Sequence, residues 1–384
     1  MARPDSAVGS EAWTSFALDL YRRLAQGDGN LVVSPSSVAA VLAMVLPGAR
    51  GETAAEIAGL LHWTEAPERL AAAAATLDDA VLRRATEDGI ALEVSNAVWI
   101  QEGMRLRDEF AAALSERFRA APRRADFQHH AEAARQAINQ LVAEQTHDKI
   151  QELFVRGALD SRTRLALTNA IYLRARWRDP FDPAATRPEP FHLPGGGTVE
   201  APMLRQRHRW RYAESEGDGS GWQALELPYQ GGGFAMVVLL PTAGGFEAFQ
   251  RDLDLGRLAT ALSSLAGRDV RLTMPKFRFE ATLDLSGVLK ALGMPAAFSA
   301  GADFSGITAD EPLQVQTVVQ KAHVEVDERG TTAAAATGIA VRATAMAISG
   351  GPVEFRADRP FLFLVRHLES RLLLIAGRVA DPTA

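Results

Sequence analysis

A change of hydrophobic pattern along the chain constrains the fold more than any other feature of this sequence. Up to about residue 82 the apolar residues recur at helical spacing, and Pro35 and Ser36 precede one such run as residues that open helices. Later runs are rich in β-branched and aromatic residues, which is typical of strands. Helices that come first and antiparallel strands that follow predict an α+β fold. The predicted helices are 12–26, 38–46, 53–61 and 67–82, and the predicted strands are 92–100, 166–173, 223–227, 234–240, 270–279, 318–326 and 372–379.

The length and composition allow one large folded unit. The chain has 384 residues, 47% of them hydrophobic, which is ample for a large core. No linker rich in Pro, Gly or Ser divides it and no internal repeat occurs, so residues 1–384 are predicted to form a single domain. The start, Met1 to Asp5, has no apolar signal segment, and no window is long enough to span a membrane. We therefore expect no membrane partner and a cytoplasmic chain as written, or an extracellular one if a signal peptide was removed.

The charge and the cysteine count argue against several classes of site. A net charge of −6 without a basic stripe argues against binding to nucleic acid, because a duplex-binding protein must displace phosphate counterions. The short basic cluster at 205–211 is interpreted as a solvated hairpin. Without cysteine the chain has no disulfide and no thiolate metal site, so packing alone must stabilise its fold.

The sequence lacks the common catalytic motifs. Neither GxSxG nor HExxH occurs, and the glycines of 217–221 have the wrong register for a nucleophile elbow. The glycine triplets 195–197 and 231–233 are predicted hairpin loops, since no GxxxxGK[ST] phosphate loop is present. His129 and His130 should point in different directions, as a surface pair and not as metal ligands. We therefore predict no catalytic residue, no metal and no cofactor, and a protein that is not an enzyme.

The segment 331–347 consists of small and almost uncharged residues that follow the strand-like run 318–326. Its alanines favour a helix. Thr, Gly, Ile and Val interrupt them, however, and no capping signal closes the segment. From the residues alone, a helix, a flexible linker and a loop able to form a strand all remain open.

Several short sequence blocks are distributed over almost the whole chain. They are Asn30 to Ser37 with Gly48 to Thr53, Leu167 to Leu173 with Trp177, Pro180 and Phe181, Leu227-Pro228-Tyr229, Leu239-Leu240-Pro241, Pro275-Lys276-Phe277 with Leu292, Gly293 and Phe298, Ala302 to Ile307, and Phe355 to Phe363 with Gly377-Arg378-Val379 and Pro382. These blocks resemble the signature blocks of the serpin family and follow in the family's order. Each block alone is a weak signal, but the shared order is specific.

The resemblance implies a serpin fold, with three β-sheets surrounded by eight or nine helices and an exposed reactive-centre loop at about 328–355. It implies a monomer that can also form loop–sheet polymers. The implied function is irreversible inhibition of a serine protease, which cuts the loop and is trapped as an acyl-enzyme when the loop inserts into the main sheet. The alternative is a non-inhibitory serpin that binds or stores other molecules.

The loop sequence agrees with insertion as a strand. Side chains of a strand alternate between its faces, so one face would carry Thr331, Ala333, Ala335 and the following odd-numbered residues, none of them charged. The one charge before Thr344, Arg342, falls on the other face. The resemblance assigns a hinge of small residues like that of inhibitory serpins. Its residues are Glu328, Gly330, Thr331, Ala333, Ala334, Ala335 and Ala336.

The resemblance also assigns supporting positions within the main sheet. Ser34, Ser37 and Asn169 match the family's polar cluster where the strands part, and Trp177 matches a tryptophan near the loop's entry point. Gln320 stands where the family usually has histidine. Glutamine still forms hydrogen bonds but does not titrate near neutral pH, so a pH-sensitive opening at this site is not expected.

The reactive bond is predicted by counting about sixteen residues beyond the hinge glutamate, as the family pattern implies. The count from Glu328 reaches Thr344, so the bond is Thr344–Ala345, which suits elastase-, subtilisin- or chymotrypsin-like proteases. Arg342 and Met346 are alternatives on the amino side of the cut. No lysine occurs between residues 61 and 92, so a heparin-binding helix is not expected.

Overall fold

Helices predominate in the first 145 residues of the computed structural model and strands in the rest; the structure describes residues 4–215, 221–331 and 351–384. Within these ranges the chain forms nine α-helices and three short 3-10 helices at Leu46–Gly48, Pro183–Ala185 and Ala296–Phe298. The α-helices are α1 Pro4–Leu24, α2 Pro35–Val45, α3 Gly51–Leu60, α4 Pro67–Glu87, α5 Asp108–Phe118, α6 Phe127–Gln145, α7 Phe246–Asp252, α8 Leu255–Ser263 and α9 Ser286–Ala291.

The strands fall into two hydrogen-bonded sets. The strands are β1 Leu31–Val33, β2 Ala91–Gln101, β3 Arg123–Ala125, β4 Leu165–Arg176, β5 Arg187–His192, β6 Thr198–Ser215, β7 Trp222–Pro228, β8 Phe234–Pro241, β9 Ala266–Pro275, β10 Phe277–Asp284, β11 Thr317–Val326, β12 Gly330–Thr331, β13 Val353–Arg356, β14 Phe361–His367 and β15 Leu373–Val379. A smaller set of six strands, here called the main sheet, has the order β10-β11-β12-β4-β2-β3, and nine strands form the larger set.

The long strand β6 divides the larger set into two sheets. Its first part pairs with β5 and β9, and its last five residues pair with β7, which continues through β8, β14 and β15 to β1. The loop-side strand β13 pairs with β9 in parallel. The α+β prediction is thus confirmed, and the implied three sheets are the main sheet and the two that share β6.

The predicted helices and strands are all present, but two details of the prediction are wrong. The run 270–279 is not one strand: it breaks at Lys276, so that β9 and β10 belong to different sheets. Proline has no N–H for a ladder, and Pro275 marks this break. The basic cluster 205–211 is not a hairpin either, because it lies within β6 and pairs with β9 along its whole length.

A large hydrophobic core lies between the sheets and includes α2, whose eleven residues are all buried. A helix that is surrounded by protein on all sides needs a mostly apolar sequence without a polar stripe. A second core forms between the main sheet and α6, through residues such as Trp99, Ile138 and Phe154. No helix in the described part of the chain is long and apolar enough to cross a membrane.

Candidate functional site

The two middle strands of the main sheet are paired along one part of their length and separated at the end. Residues 317 to 323 of β11 pair in parallel with residues 166 to 172 of β4, with no strand between them. Beyond this point β12 lies between the two strands, where Thr331 pairs with both Val326 and Ala175. The first residues of the predicted reactive loop therefore begin a new strand at a fork in the main sheet.

Gly330 enters this fork at very close backbone range. A Cβ atom at this position would lie 2.0 Å from the carbonyl oxygen of Ala175, so only glycine fits without a shift of backbone. The turn before it is fixed by Asp327, whose Oδ1 accepts hydrogen bonds from the N–H groups of Arg329 at 2.8 Å and Gly330 at 3.1 Å. Asp327 N also donates to Gly330 O at 3.0 Å, so the turn at the start of the loop is well defined.

An aromatic cluster packs at the open end of the fork. Trp177 stacks on Tyr229 with ring centroids 4.7 Å apart and nearly parallel planes, and its indole Nε1 donates to Asp327 O at 3.0 Å. The backbone N–H of Trp177 donates to Arg329 O at 2.8 Å. Burial raises the pKa of the Tyr229 hydroxyl, which lies 2.6 Å from Thr331 Oγ1. The buried side chain of Thr331 is therefore held by a neutral hydrogen bond.

Glu328 anchors the outer end of the same turn. Its Oε2 lies 2.8 Å from Lys276 Nζ, and its Oε1 accepts a hydrogen bond from Thr186 Oγ1 at 2.9 Å. Its carbonyl oxygen also accepts from Phe181 N at 2.8 Å. Burial opposes ionisation of this carboxyl, but the bonds from Lys276 and Thr186 outweigh it and lower the pKa of Glu328. Glu328 thus ties the start of the loop to Lys276 and to the connection between β4 and β5.

A buried polar cluster closes the sheet below the fork. Gln320 on β11 lies opposite Asn169 on β4, which lies opposite Asn96 on β2, and their side-chain amides form a chain of hydrogen bonds across the three strands. Gln320 also binds the backbone of Ser34, accepting from its N–H at 2.8 Å and donating to its carbonyl oxygen at 3.0 Å. Buried polar groups are strongly held when every partner is present.

Ser34 is the N-cap residue of α2, but its hydroxyl binds within the polar cluster and does not cap the helix. No serine side chain caps α2; Ser34 Oγ instead donates to Leu374 O at 2.7 Å and lies 2.8 Å from Ser37 Oγ. The predicted residues Ser34, Ser37, Asn169 and Gln320 therefore meet in one cluster that joins the main sheet to α2 and β15.

Part of the predicted site lies outside the described residues: Ala333 to Ala336 of the hinge, Arg342, and the predicted bond at Thr344, Ala345 and the alternative Met346. Sequence reasoning also missed contributors that the structure brings to the site. Tyr229 and Lys276 stood within quoted sequence blocks without an assigned role, and no spacing signal pointed to Asp327, Thr186 or Asn96.

The histidine pair lies on the surface, as predicted, but its two rings do not diverge. His129 Nδ1 lies 3.2 Å from Asp126 Oδ1, and His130 Nδ1 lies 2.7 Å from Asp126 Oδ2, because His130 departs from helical backbone angles at the start of α6. Among residues 4–215, 221–331 and 351–384, no group of three or more His, Cys, Asp or Glu is arranged to hold a metal.

Known proteins resemble this chain over almost its full length. Curated relatives include an uncharacterized serpin-like protein of Thermococcus kodakarensis, 38% identical over 97% of this chain and 85% of that protein. The leukocyte elastase inhibitor of Bos taurus is 36% identical over 97% of this chain and 99% of its own.

Solved structures and a family model agree with these relatives. Native protease nexin-1 with heparin superposes with a TM-score of 0.88 at 27% identity, covering 98% of this chain and all of that one. Serpin48 of the insect Tenebrio molitor gives 0.84 at 31% identity over 99% of this chain and all of that one. The family model described as serpin (serine protease inhibitor) matches residues 11–382. This chain therefore belongs to the serpin family.

Proposed function

We propose that this serpin inhibits a serine protease irreversibly, by inserting its cleaved reactive loop between β4 and β11. The observation that carries the proposal is the fork, where β12 already pairs with both strands in the orientation that a continuing strand would take. Each further loop residue that enters would replace one direct residue pair between β4 and β11 with two pairs, one to each of these strands. We also propose that the whole chain acts as one domain, since one core includes residues from α1 to β15.

The chemistry requires no catalytic group from this chain. The serine hydroxyl of the protease attacks the carbonyl carbon of Thr344, the amine of Ala345 leaves with a proton, and an ester joins the protease to the loop. Water would normally hydrolyse the ester. Insertion of the released strand carries the attached protease along the main sheet before hydrolysis is complete, and the ester persists.

The charge pattern of the loop supports insertion. Thr331 is buried against Tyr229, and the alternation of a strand would place Ala333, Ala335, Thr337 and Ile339 on the same face. None of these side chains carries a charge that would have to be buried without a partner. Arg342 would fall on the opposite face.

Incubation with elastase-, subtilisin-, chymotrypsin- and trypsin-like proteases, followed by denaturing electrophoresis, tests the proposal. We expect a covalent band at the summed mass with at least one of the first three. Cleavage of the loop without a complex would favour the non-inhibitory alternative, and hydrolysis of an added substrate by this chain alone would contradict both.

Mass spectrometry of the C-terminal fragment identifies the bond. A new N-terminus at Ala345 is expected. A cut after Arg342 would shorten the inserted strand by two residues, or roughly 6–7 Å, so trypsin should more often escape. A fragment that begins at Ala343 in a stable complex would overturn the count from Glu328.

A further inference from the structure

We propose that Thr337 is the loop residue that meets the buried polar cluster after insertion, where its hydroxyl takes the place of the direct contact between Gln320 and Asn169. Because Thr337 would act only within the inserted strand, this role rests on the proposed function. Thr337 lies outside the described residues, but both strands that would flank it are described along this stretch.

The pairing at the fork fixes the register of an inserted strand. One row across the sheet contains Val326 of β11, Thr331 of β12 and Ala175 of β4. Since β12 is antiparallel to both neighbours, a strand that continues from it runs back along β11 and β4 one residue for one residue. Six positions further along each strand, the row contains Gln320, Thr337 and Asn169.

The two flanking strands keep one relative register above and below the fork. In the closed part Gln320 lies directly opposite Asn169. At the fork Val326 and Ala175 lie in one row with Thr331 between them, and each is six residues from the corresponding member of the closed pair. Insertion therefore requires β4 and β11 to move apart without sliding past each other.

The polarity of the loop matches the side of these strands that faces α2. Directly opposite residues share a face. On this face the buried apolar pairs are Leu173 with Val324, Ile171 with Ala322 and Leu167 with Val318, which would flank Ala333, Ala335 and Ile339 in turn. Asn169 and Gln320 are the only polar pair in these described rows, and Thr337 is the only polar residue among 333–341. A shift by two residues would place Thr337 between apolar side chains and leave both amides without a polar neighbour.

The hydroxyl of Thr337 offers the two hydrogen-bonding functions that separation of the strands would leave unpaired. Gln320 Nε2 now donates to Asn169 Oδ1 and to the carbonyl oxygen of Ser34. Neighbouring strands lie about 4.8 Å apart, so an inserted strand doubles the distance between β11 and β4. The first of the two bonds is then lost, which leaves a buried N–H and a buried acceptor. A threonine hydroxyl between them can accept from Gln320 and donate to Asn169.

Melting temperatures of the full-length protein, uncut and cut in the loop by a subtilisin-like protease, test this role. Thr337→Val keeps the shape of the side chain and removes its hydroxyl. The uncut variant should melt with the uncut wild type, because the bond exists only after insertion, and the cut variant should melt several degrees below the cut wild type. Thr337→Ser should recover most of this loss. Thr332→Val is the matched control, since the same substitution on the other face of the strand should change neither temperature.

A double-mutant cycle with Gln320→Leu distinguishes a hydrogen bond from a general effect of the loop sequence. The effects of Thr337→Val and Gln320→Leu should add in the uncut protein. In the cut protein they should fall short of additivity, because each substitution removes the same bond.

Several outcomes would overturn the role of Thr337. They are equal melting of cut wild type and cut Thr337→Val, an equal loss in Thr332→Val, and additive effects in the cut protein. Each of these leaves the proposed function intact, provided that cutting raises the melting temperature of the wild type. If cutting does not raise it, the loop does not insert, and the proposed function fails together with the role of Thr337.

Discussion

The two halves of the β4–β11 boundary contain the same strands but differ in what lies between them. Below the fork, seven residue pairs are joined directly and Gln320 connects Asn169 with the backbone of Ser34. Above it, Gly330 and Thr331 lie between the strands, where Gly330 pairs with β4 and Thr331 pairs with both. The lower half is a closed sheet, and the upper half is the same sheet with a third strand already begun.

If the cleaved loop inserts as proposed, this difference indicates where insertion is resisted. In the upper half, contacts to the loop already replace direct pairing of β4 with β11, and they include the Tyr229–Thr331 hydrogen bond. In the lower half, the polar cluster would have to open before a strand enters. A native protein held by such a barrier is kinetically stable, and it reaches its most stable arrangement only when the barrier is crossed.

The largest expected effect comes from cutting the loop, which should remove the difference between the upper and lower halves. A single cut in the loop should allow the strand to continue from Thr331 along the lower half, adding two ladders and several kcal/mol of stability. At roughly 2–4 °C per kcal/mol for a large domain, the melting temperature should rise by about 10 °C or more. Calorimetry of cut and uncut protein measures the change. Equal melting temperatures would mean that the lower half stays closed.

A charge at the fork should have the next largest effect. Thr331→Arg places a guanidinium where the side chain is buried against Tyr229, at a cost of several kcal/mol. Insertion should slow while hydrolysis of the ester does not, so most of the protein should be cut without forming a complex. The ratio of cleaved inhibitor to complex on a denaturing gel measures this.

Thr331→Val is the matched control for this variant. It keeps the shape of threonine and removes only the hydroxyl, so the buried hydroxyl of Tyr229 loses its partner at about 1–3 kcal/mol, which is less than the cost of burying a charge. Complex formation should be nearly unchanged. If Thr331→Arg formed complex as well as Thr331→Val does, the face assigned to this residue would be wrong.

The sequence predicted the elements of this boundary better than its contacts. The strand-like runs gave β4 and β11, and the resemblance to the family placed Asn169 and Gln320 in one cluster. Tyr229 and Thr331, in contrast, are 102 residues apart, and Lys276 and Glu328 are 52 apart. Hydrophobic periodicity indicates which face of a helix or strand is buried. It does not indicate which polar residue, distant in sequence, will contact a polar residue on that face.

Loss of the polar cluster should have a moderate effect on the lower half. Gln320→Leu leaves the N–H of Ser34 and the side-chain oxygen of Asn169 without their partner, at about 1–3 kcal/mol for each buried group. The melting temperature should fall by several degrees, and insertion should become easier. Gln316→Leu is the control, since this half-buried residue before β11 bonds to Leu165 only through its backbone N–H. If the two substitutions changed the melting temperature and insertion equally, the polar cluster would have no special role in either.

The smallest expected effect is a pH dependence at the boundary between the halves. His323 ends the directly paired stretch, opposite Tyr172, and its Nε2 lacks a hydrogen bond among the described residues. Strand alternation puts its buried side chain on the same face of β11 as Val319, which belongs to the core shared with α6. Burial lowers the pKa of this imidazole, with further lowering by Arg278 and Lys149 and opposite effects from Glu325 and Glu280. Gln320, where the family usually has histidine, contributes no titration of its own.

The sign of the dependence follows from the lowered pKa of His323. In the unfolded chain the ring takes up a proton near its ordinary pKa of about 6.5, while in the folded chain it does so only at lower pH. The stability of the folded state is therefore fully present above this value and falls as the pH drops below it. His323→Gln removes this contribution, so denaturant unfolding between pH 7 and pH 5 should show a shallower loss of stability.

His367→Gln is the matched comparison, because burial also lowers the pKa of His367, but this residue lies on β14 away from the main sheet. Both variants should flatten the pH profile of unfolding. Only His323→Gln should also change the pH profile of covalent complex formation, and an identical change in both would show that protonation at the fork does not influence insertion.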